Sequence, residues 1–288
     1  MGYVSDFIVT KKNLYAASDL GVVTVFDLKT KKIVDTITLK PIITDLQEMQ
    51  DQRLLSIDHH NGKLLLVSIG KNLFRNVWIY EKHQLRKIIS EEAKLTIKEA
   101  RFIDDEKIVL ATFASEIILY DMAEKYHKYK HHISQSTLGD ITLSEDKKHL
   151  LMADESGEAR IVDIKNGQAR KLLNTQNLDN VFHIAHANGV TLTAGQDRRV
   201  GVYRDNEPAY HIKSDFLVYC VGINPKGTIG IYSSDAKNRL QLFSIKTKQK
   251  LHRLKGHKRL VNQIKFVNEK ELYSSENSPY IYYWKLDQ

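Results

Sequence analysis

Apolar and polar positions alternate along most of the chain in short runs rich in Val, Ile, Leu, Tyr and Phe, broken by Gly, Asn, Asp or Lys. A period of two residues marks strands with one buried face, and the breakers supply tight turns between them. Helical periodicity is confined to a weak patch around Ser90 to Glu99. The pattern predicts a nearly all-β protein.

The strands are phased. An alternating apolar run that ends on an aromatic or aliphatic residue, followed by a lysine-rich turn, recurs seven times. It reads VVTVFDLKTKK from Val22, NVWIYEKHQ from Asn76, IILYDMAEK from Ile117, ARIVDIKNG from Ala159, VGVYRDNEP from Val200, LQLFSIKTK from Leu240 and YIYYWKLDQ from Tyr280. From Tyr80 through Tyr120, Val162, Tyr203 and Phe243 to Trp284 the marker residues are 40 to 42 positions apart, while the interval from Phe26 to Tyr80 is longer. This is the period of a four-stranded propeller blade. A small sheet cannot bury both of its faces alone, and packing such sheets face to face solves that problem. The fold expected is a seven-bladed β-propeller of four-stranded antiparallel blades, with residues 1–288 as one domain.

The fourth unit shows the order within a blade: DITLS innermost, then LLMAD, ARIVDI and QARKLLN outermost, separated by EDKKH, ESG and KNG. Two readings stand for the longer second unit. Either IITDLQEM is the inner strand and SIGKNLFRN a long loop, or LLSIDHHNG starts the blade. Loops on a rigid scaffold are where function concentrates, which singles out His59, His60, Phe74 and Arg75. The first inner strand is expected to start near Tyr3 or Val4, and the third strand of the last unit to end at Trp284-Lys285-Leu286, with nothing after Gln288 for a fourth. The last blade is therefore expected to have three strands of its own and a bare edge along YIYYWKL. An upstream segment, a partner or a second copy would fill that edge.

The last unit resembles a WD repeat. Gly256-His257 precede its inner strand, Ser274 and Ser275 lie on its second strand and Trp284 closes its third. In that family a His, a turn Asp, a Ser or Thr and a Trp form a buried hydrogen-bond chain. The resemblance implies structural roles for Gly256, His257, Ser274 and Trp284, with Asn277 where the Asp is expected. The opening GYVSDFIV and the lysine- and isoleucine-rich composition also resemble the NapL-type accessory proteins encoded beside bacterial periplasmic nitrate reductases. That resemblance implies a redox-enzyme partner and a periplasmic location after loss of a leader. Taken as it stands, the sequence shows no signal peptide and reads as cytoplasmic.

Composition narrows the chemistry. The 42% hydrophobic and 27% charged residues suit a folded globular chain, and no apolar run is long enough to span a bilayer as a helix. A lone cysteine, Cys220 in the apolar run FLVYCVGI, forms no internal disulfide and reads as a buried, inert thiol. The net charge of +8 permits an acidic partner. Lys29, Lys31, Lys32, Lys82, Lys125, Lys128, Lys165, Lys246, Lys248 and Lys250 cluster at turns between third and fourth strands. Such lysines serve solubility as readily as recognition. Interleaved stacking aromatics are lacking, so nucleic acid is not expected.

No phosphate-binding loop, metalloprotease motif, nucleophile elbow or EF-hand spacing occurs, so neither cofactor nor catalytic residue is expected. An axial divalent metal, as in propeller hydrolases and lactonases, is the alternative; Asp45, Glu99, Asp140, His183 and His186 are its candidate ligands, although His183 and His186, three apart on one strand, face opposite sides and cannot both ligate one metal without a bulge. Arg198 and Arg199, after Asp197 in a second-to-third turn, are candidates for peptide binding. The function expected is a non-catalytic protein-binding scaffold or accessory subunit, monomeric by itself.

Overall fold

The computed structural model describes residues 2–286. Six four-stranded antiparallel sheets and a three-stranded seventh follow one another in chain order, the blades of a seven-bladed β-propeller. Two compact units contain them, Met1–His132 with blades 1 to 3 and Ile133–Gln288 with blades 4 to 7.

In the first unit, blade 1 is Val4–Val9, Asn13–Ser18, Val22–Asp27 and Ile33–Thr38. Blade 2 is Leu54–His60, Lys63–Ile69, Arg75–Glu81 and Gln84–Ile89; blade 3 is Ile97–Phe102, Lys107–Thr112, Glu116–Asp121 and Tyr126–His132. LLSIDHHNG therefore starts the second blade. IITDLQEM is not an inner strand: Ile42–Ile43 pairs with Met49–Gln50 in a short hairpin on the connection between blades. The patch with helical periodicity yields only the 3-10 turn Glu91–Ala93, and Glu99 lies on a strand.

In the second unit, the blades are Leu138–Leu143, His149–Asp154, Ala159–Asp163 and Ala169–Leu173; Val181–Ala187, Val190–Gly195, Arg199–Arg204 and Tyr210–Lys213; then Val221–Ile223, Ile229–Ser233, Leu240–Ser244 and Lys250–Leu254. Blade 7 has Val261–Phe266, Glu271–Glu276 and Ile281–Lys285, and no fourth strand pairs with it among the described residues. Its third strand ends where the sequence placed it, at Trp284 and Lys285.

Each core lies between facing blades. Leu65, Val67, Val77 and Ile79 of blade 2 meet Ile97, Phe102, Ile108 and Ile118 of blade 3. Val200 and Val202 of blade 5 meet Val221, Tyr232 and Phe243 of blade 6. Inner strands come closest together, and at Gly139 an added Cβ would sit 1.9 Å from the Val181 carbonyl oxygen.

Side chain to backbone bonds clasp neighbouring inner strands at one repeated register. Asp6 accepts from the Ile57 N–H at 2.8 Å, Ser56 from Ala100 at 3.4 Å and Asp140 from Ile184 at 2.9 Å. Each accepting residue follows a bulge near the start of its inner strand.

In an antiparallel blade, the second-to-third turn and the connection leading to the next inner strand emerge at the same end, here termed the crossover end. Bonds from Leu39 to Gly21, Arg75 to Leu95 and Phe113 to Thr96 tie turns and connections together there in the first unit. The lysine-rich third-to-fourth turns emerge at the opposite end.

Candidate partner-binding surface

The crossover end of the first unit carries large apolar side chains in water. Leu20 of the blade 1 turn is 45% exposed, and Ile43, Leu46 and Met49 of the hairpin are 55%, 81% and 78% exposed. Leu73, in the second-to-third turn of blade 2, is 67% exposed. Single exposed apolar residues are ordinary, but five at one end of two consecutive blades and the connection between them make this end a candidate interaction surface. The hairpin holds Leu46 out with Gln47 at φ +63° and a Thr44–Glu48 backbone bond.

Phe74 and Arg75 belong to this end. Phe74 is half-buried, and Arg75 opens the third strand of blade 2 with only 8% of its surface exposed. Its guanidinium carbon stands 5.4 Å from the Phe113 ring centroid, and the Lys98 ammonium approaches the same ring at 5.5 Å. Burial lowers the Arg75 pKa.

His59 and His60, grouped with Phe74 and Arg75 on the sequence, end the inner strand at the other end of the blade. His59 stacks on Tyr15 with centroids 5.7 Å apart, and burial lowers its pKa. His60 lies against Phe102 and 4.0 Å from Asp105. In the second unit, Arg198 is exposed with φ +63°, while Arg199 is held by the Gln176 carbonyl at 3.3 Å and by Asp197 at 3.7 Å.

The five residues considered as axial metal ligands have other surroundings. Asp45 sits exposed in the hairpin and not on an inner strand. Glu99 pairs with Arg101 at 2.6 Å. Asp140 is an inter-strand clasp and lies 3.6 Å from His183, whereas His186 faces Thr191 at 2.9 Å and Glu145 at 3.5 Å. Among the described residues, no three His, Cys, Asp or Glu side chains converge in a metal-binding group. Cys220 is fully buried, which pushes its thiol pKa up to about 12 and leaves it protonated and unreactive. Of the turn lysines, Lys128 pairs with Asp121 at 3.2 Å and Lys248 covers the Tyr210 ring at 4.4 Å.

Blade 7 holds the hydrogen-bond chain implied by the WD-repeat resemblance, with one substitution. Glu276, not Asn277, takes the acidic role. The His257 Nδ1–H donates to Glu276 Oε2 at 3.1 Å, Nε2 accepts from the Ser274 hydroxyl at 2.7 Å, and Ser274 Oγ accepts from Trp284 Nε1–H at 2.7 Å. Glu276 also accepts from the Lys258 and Arg259 N–H groups, and Asn277 pairs with Asn262 instead. Gly256 lies under the indole, which an added Cβ would meet at 2.9 Å. Burial lowers the His257 pKa against the pull of Glu276. Burial opposes ionisation of Glu276, but its N–H and hydroxyl donors outweigh it and leave the pKa lowered.

A related cluster in blade 5 escaped the sequence reading. Asn177 stands at the register of His257 and Thr193 at that of Ser274; Thr193 donates to Asn177 at 2.5 Å, and Asn177 donates to Asp197 at 3.2 Å. The signal was a Thr on the second strand with an Asn sixteen residues before it.

No family model matches the chain, and no curated protein sequence does. Solved structures do, 1844 chains in all, so the architecture is common and by itself selects no function. Among them, the crystal structure of the Cps50 (Swd1) β-propeller domain of Myceliophteria thermophila covers 100% of this chain and 97% of its own, with a TM-score of 0.78 and 13% identity. At that identity the likeness shows the fold, a seven-bladed β-propeller, and nothing further.

Proposed function

We propose that this chain is a non-catalytic protein-binding module, a subunit of a larger complex, and that the crossover end of its first unit is the surface it offers. The observation that carries the reading is the set of exposed apolar side chains Leu20, Ile43, Leu46, Met49 and Leu73. Apolar surface removed from water contributes about 25 cal/mol per Å² to association, and a face of this kind is stabilised only when covered. Among the candidate axial ligands, Asp140 serves as a clasp, Glu99 pairs with Arg101 and Asp45 lies in the hairpin, which favours binding over hydrolysis. The narrower accessory role beside a periplasmic nitrate reductase rests on the opening segment and general composition and gains nothing from the comparisons.

Affinity capture from native lysate tests the proposal. The wild-type chain is expected to retain a stoichiometric protein that the double variant Leu46→Asp, Met49→Asp loses while melting at the same temperature. Capture unaffected by both charges overturns the surface. Turnover of a small substrate with a stoichiometric divalent ion, and no partner, overturns the class.

A further inference from the structure

Arginines near the start of third strands are neutralised in this protein, with one exception. Arg160 is paired with Asp154 and Glu158. Arg199 has Asp197, and Arg239 has Asp235 at 2.6 Å. In each case the acid stands in or beside the turn that precedes the arginine. The turn before Arg75 reads GKNLF and contains no acid. Among the described residues no carboxylate pairs with Arg75, although it is more deeply buried than the other three, and its Nε and Nη1 atoms are buried without a hydrogen-bond partner. Burial is the one influence on its pKa, and no acid contributes to it.

A guanidinium cannot lose its proton in a protein, so an arginine buried without a counter-charge costs stability that a neutral side chain would not. Phe113 gives it only the weaker support of a ring face. With Lys98 on the same ring, two cations converge on one half-buried aromatic at the crossover end, beside the exposed Leu73.

We propose that Arg75, Lys98 and Phe113 form a receptor for one oxyanion, a carboxylate or a phosphate, carried on an extended segment of the protein partner. The inference rests on the partner-binding reading above and adds its chemistry. With Nε and Nη1 closed off from solvent, Arg75 donates to the oxyanion through Nη2, Lys98 adds charge, and Leu73 and Phe74 receive apolar neighbours in the bound segment.

The test uses the full chain and blocked nonapeptides of one leucine-rich sequence whose central residue is Glu, phosphoserine or Gln. Wild type is expected to bind at least one anionic peptide roughly thirtyfold or more tightly than the Gln peptide, in keeping with the loss on truncating one partner of a buried charge pair. The ranking of Glu against phosphoserine identifies the source of the oxyanion. Arg75→Met is expected to melt no lower than wild type and to abolish the preference; Arg75→Lys keeps part of it. Equal binding of all three peptides, or a preference that survives Arg75→Met, overturns the receptor. If Arg75→Met lowers the melting temperature by many degrees, the guanidinium is structural and the proposal also fails. Captured partner that is lost with Leu46→Asp, Met49→Asp but kept with Arg75→Met sinks this inference alone and leaves the binding function standing.

Discussion

In blade 7 the buried polar groups are closed on one another, whereas in blade 2 a buried guanidinium is left open. His257 uses both ring nitrogens and Glu276 both oxygens, the latter toward His257, Lys258, Arg259, Ser278 and Tyr282. Among the described residues, Arg75 has Phe113 and no acid. A low-dielectric interior strengthens satisfied networks and penalises orphaned groups, so the same degree of burial has opposite consequences in the two blades. The closed cluster holds its own blade together. The open one is the place where the proposed oxyanion of a partner would supply the missing charge.

Several experiments sharpen or break this contrast. The largest effect is expected from Glu276→Ala, which orphans His257 and two backbone N–H groups at once; a loss of about 3 kcal/mol in denaturant unfolding is expected, and a loss under about 1 kcal/mol would mean that water replaces the carboxylate. Ser274→Ala, which strips the indole N–H of its acceptor and His257 of its donor, should cost about 2 kcal/mol by the same measurement. Thr193→Val in the sparser blade 5 cluster should cost about 1 kcal/mol, and an equal cost to Ser274→Ala would show that the two clusters are equivalent.

Acid sets a further comparison. His257 is held neutral by burial below its ordinary value of 6.5, so it takes up a proton more readily unfolded than folded. Its contribution is fully present above that value and is lost as pH falls from 6.5 through the folded value. Glu276 contributes above its ordinary 4.5 and loses its share as pH falls through its own lowered value. His257→Gln should flatten the upper window in a stability-against-pH profile and leave the lower one; an unchanged upper slope would place the proton uptake on another group. The smallest effect is expected at Arg198, exposed at a turn. Arg198→Ala should shift stability by less than about 0.5 kcal/mol, and a larger loss in thermal unfolding would reveal a role in holding the turn.

Blade number, strand order and the three-stranded last blade were legible because alternation and turn residues are local signals. The second blade was readable only as a choice, since Ile42 to Met49 is apolar enough for an inner strand and nothing local announces that it projects into water. Apolar residues are assigned inward by default, which hid the exposed Leu46 and Met49. Arginine is assigned outward, so Arg75 was singled out as an insertion residue and its burial could not be foreseen. His59 and His60 were placed with it because proximity in sequence does not reveal that a strand carries them to the other end. At the close of the second strand of blade 7, Asn277 was aligned with an acid that Glu276 supplies one residue earlier. A one-residue choice at a strand end decides which side chain turns toward His257, and that depends on where pairing stops.

The clasps between inner strands bear on how far such a chain can drift. Asp6, Ser56 and Asp140 each grip a backbone N–H, and the residues that own those groups are Ile57, Ala100 and Ile184. A main-chain donor is present whatever side chain its residue carries, proline excepted. Each clasp therefore constrains one position of the two it joins, and the acceptor end tolerates a serine hydroxyl in place of a carboxylate. Alignment between neighbouring blades can therefore hold while the letters around it change. One-sided constraints of this kind let the same fold be held by a sequence that shares only 13% of its residues with the Cps50 (Swd1) propeller domain.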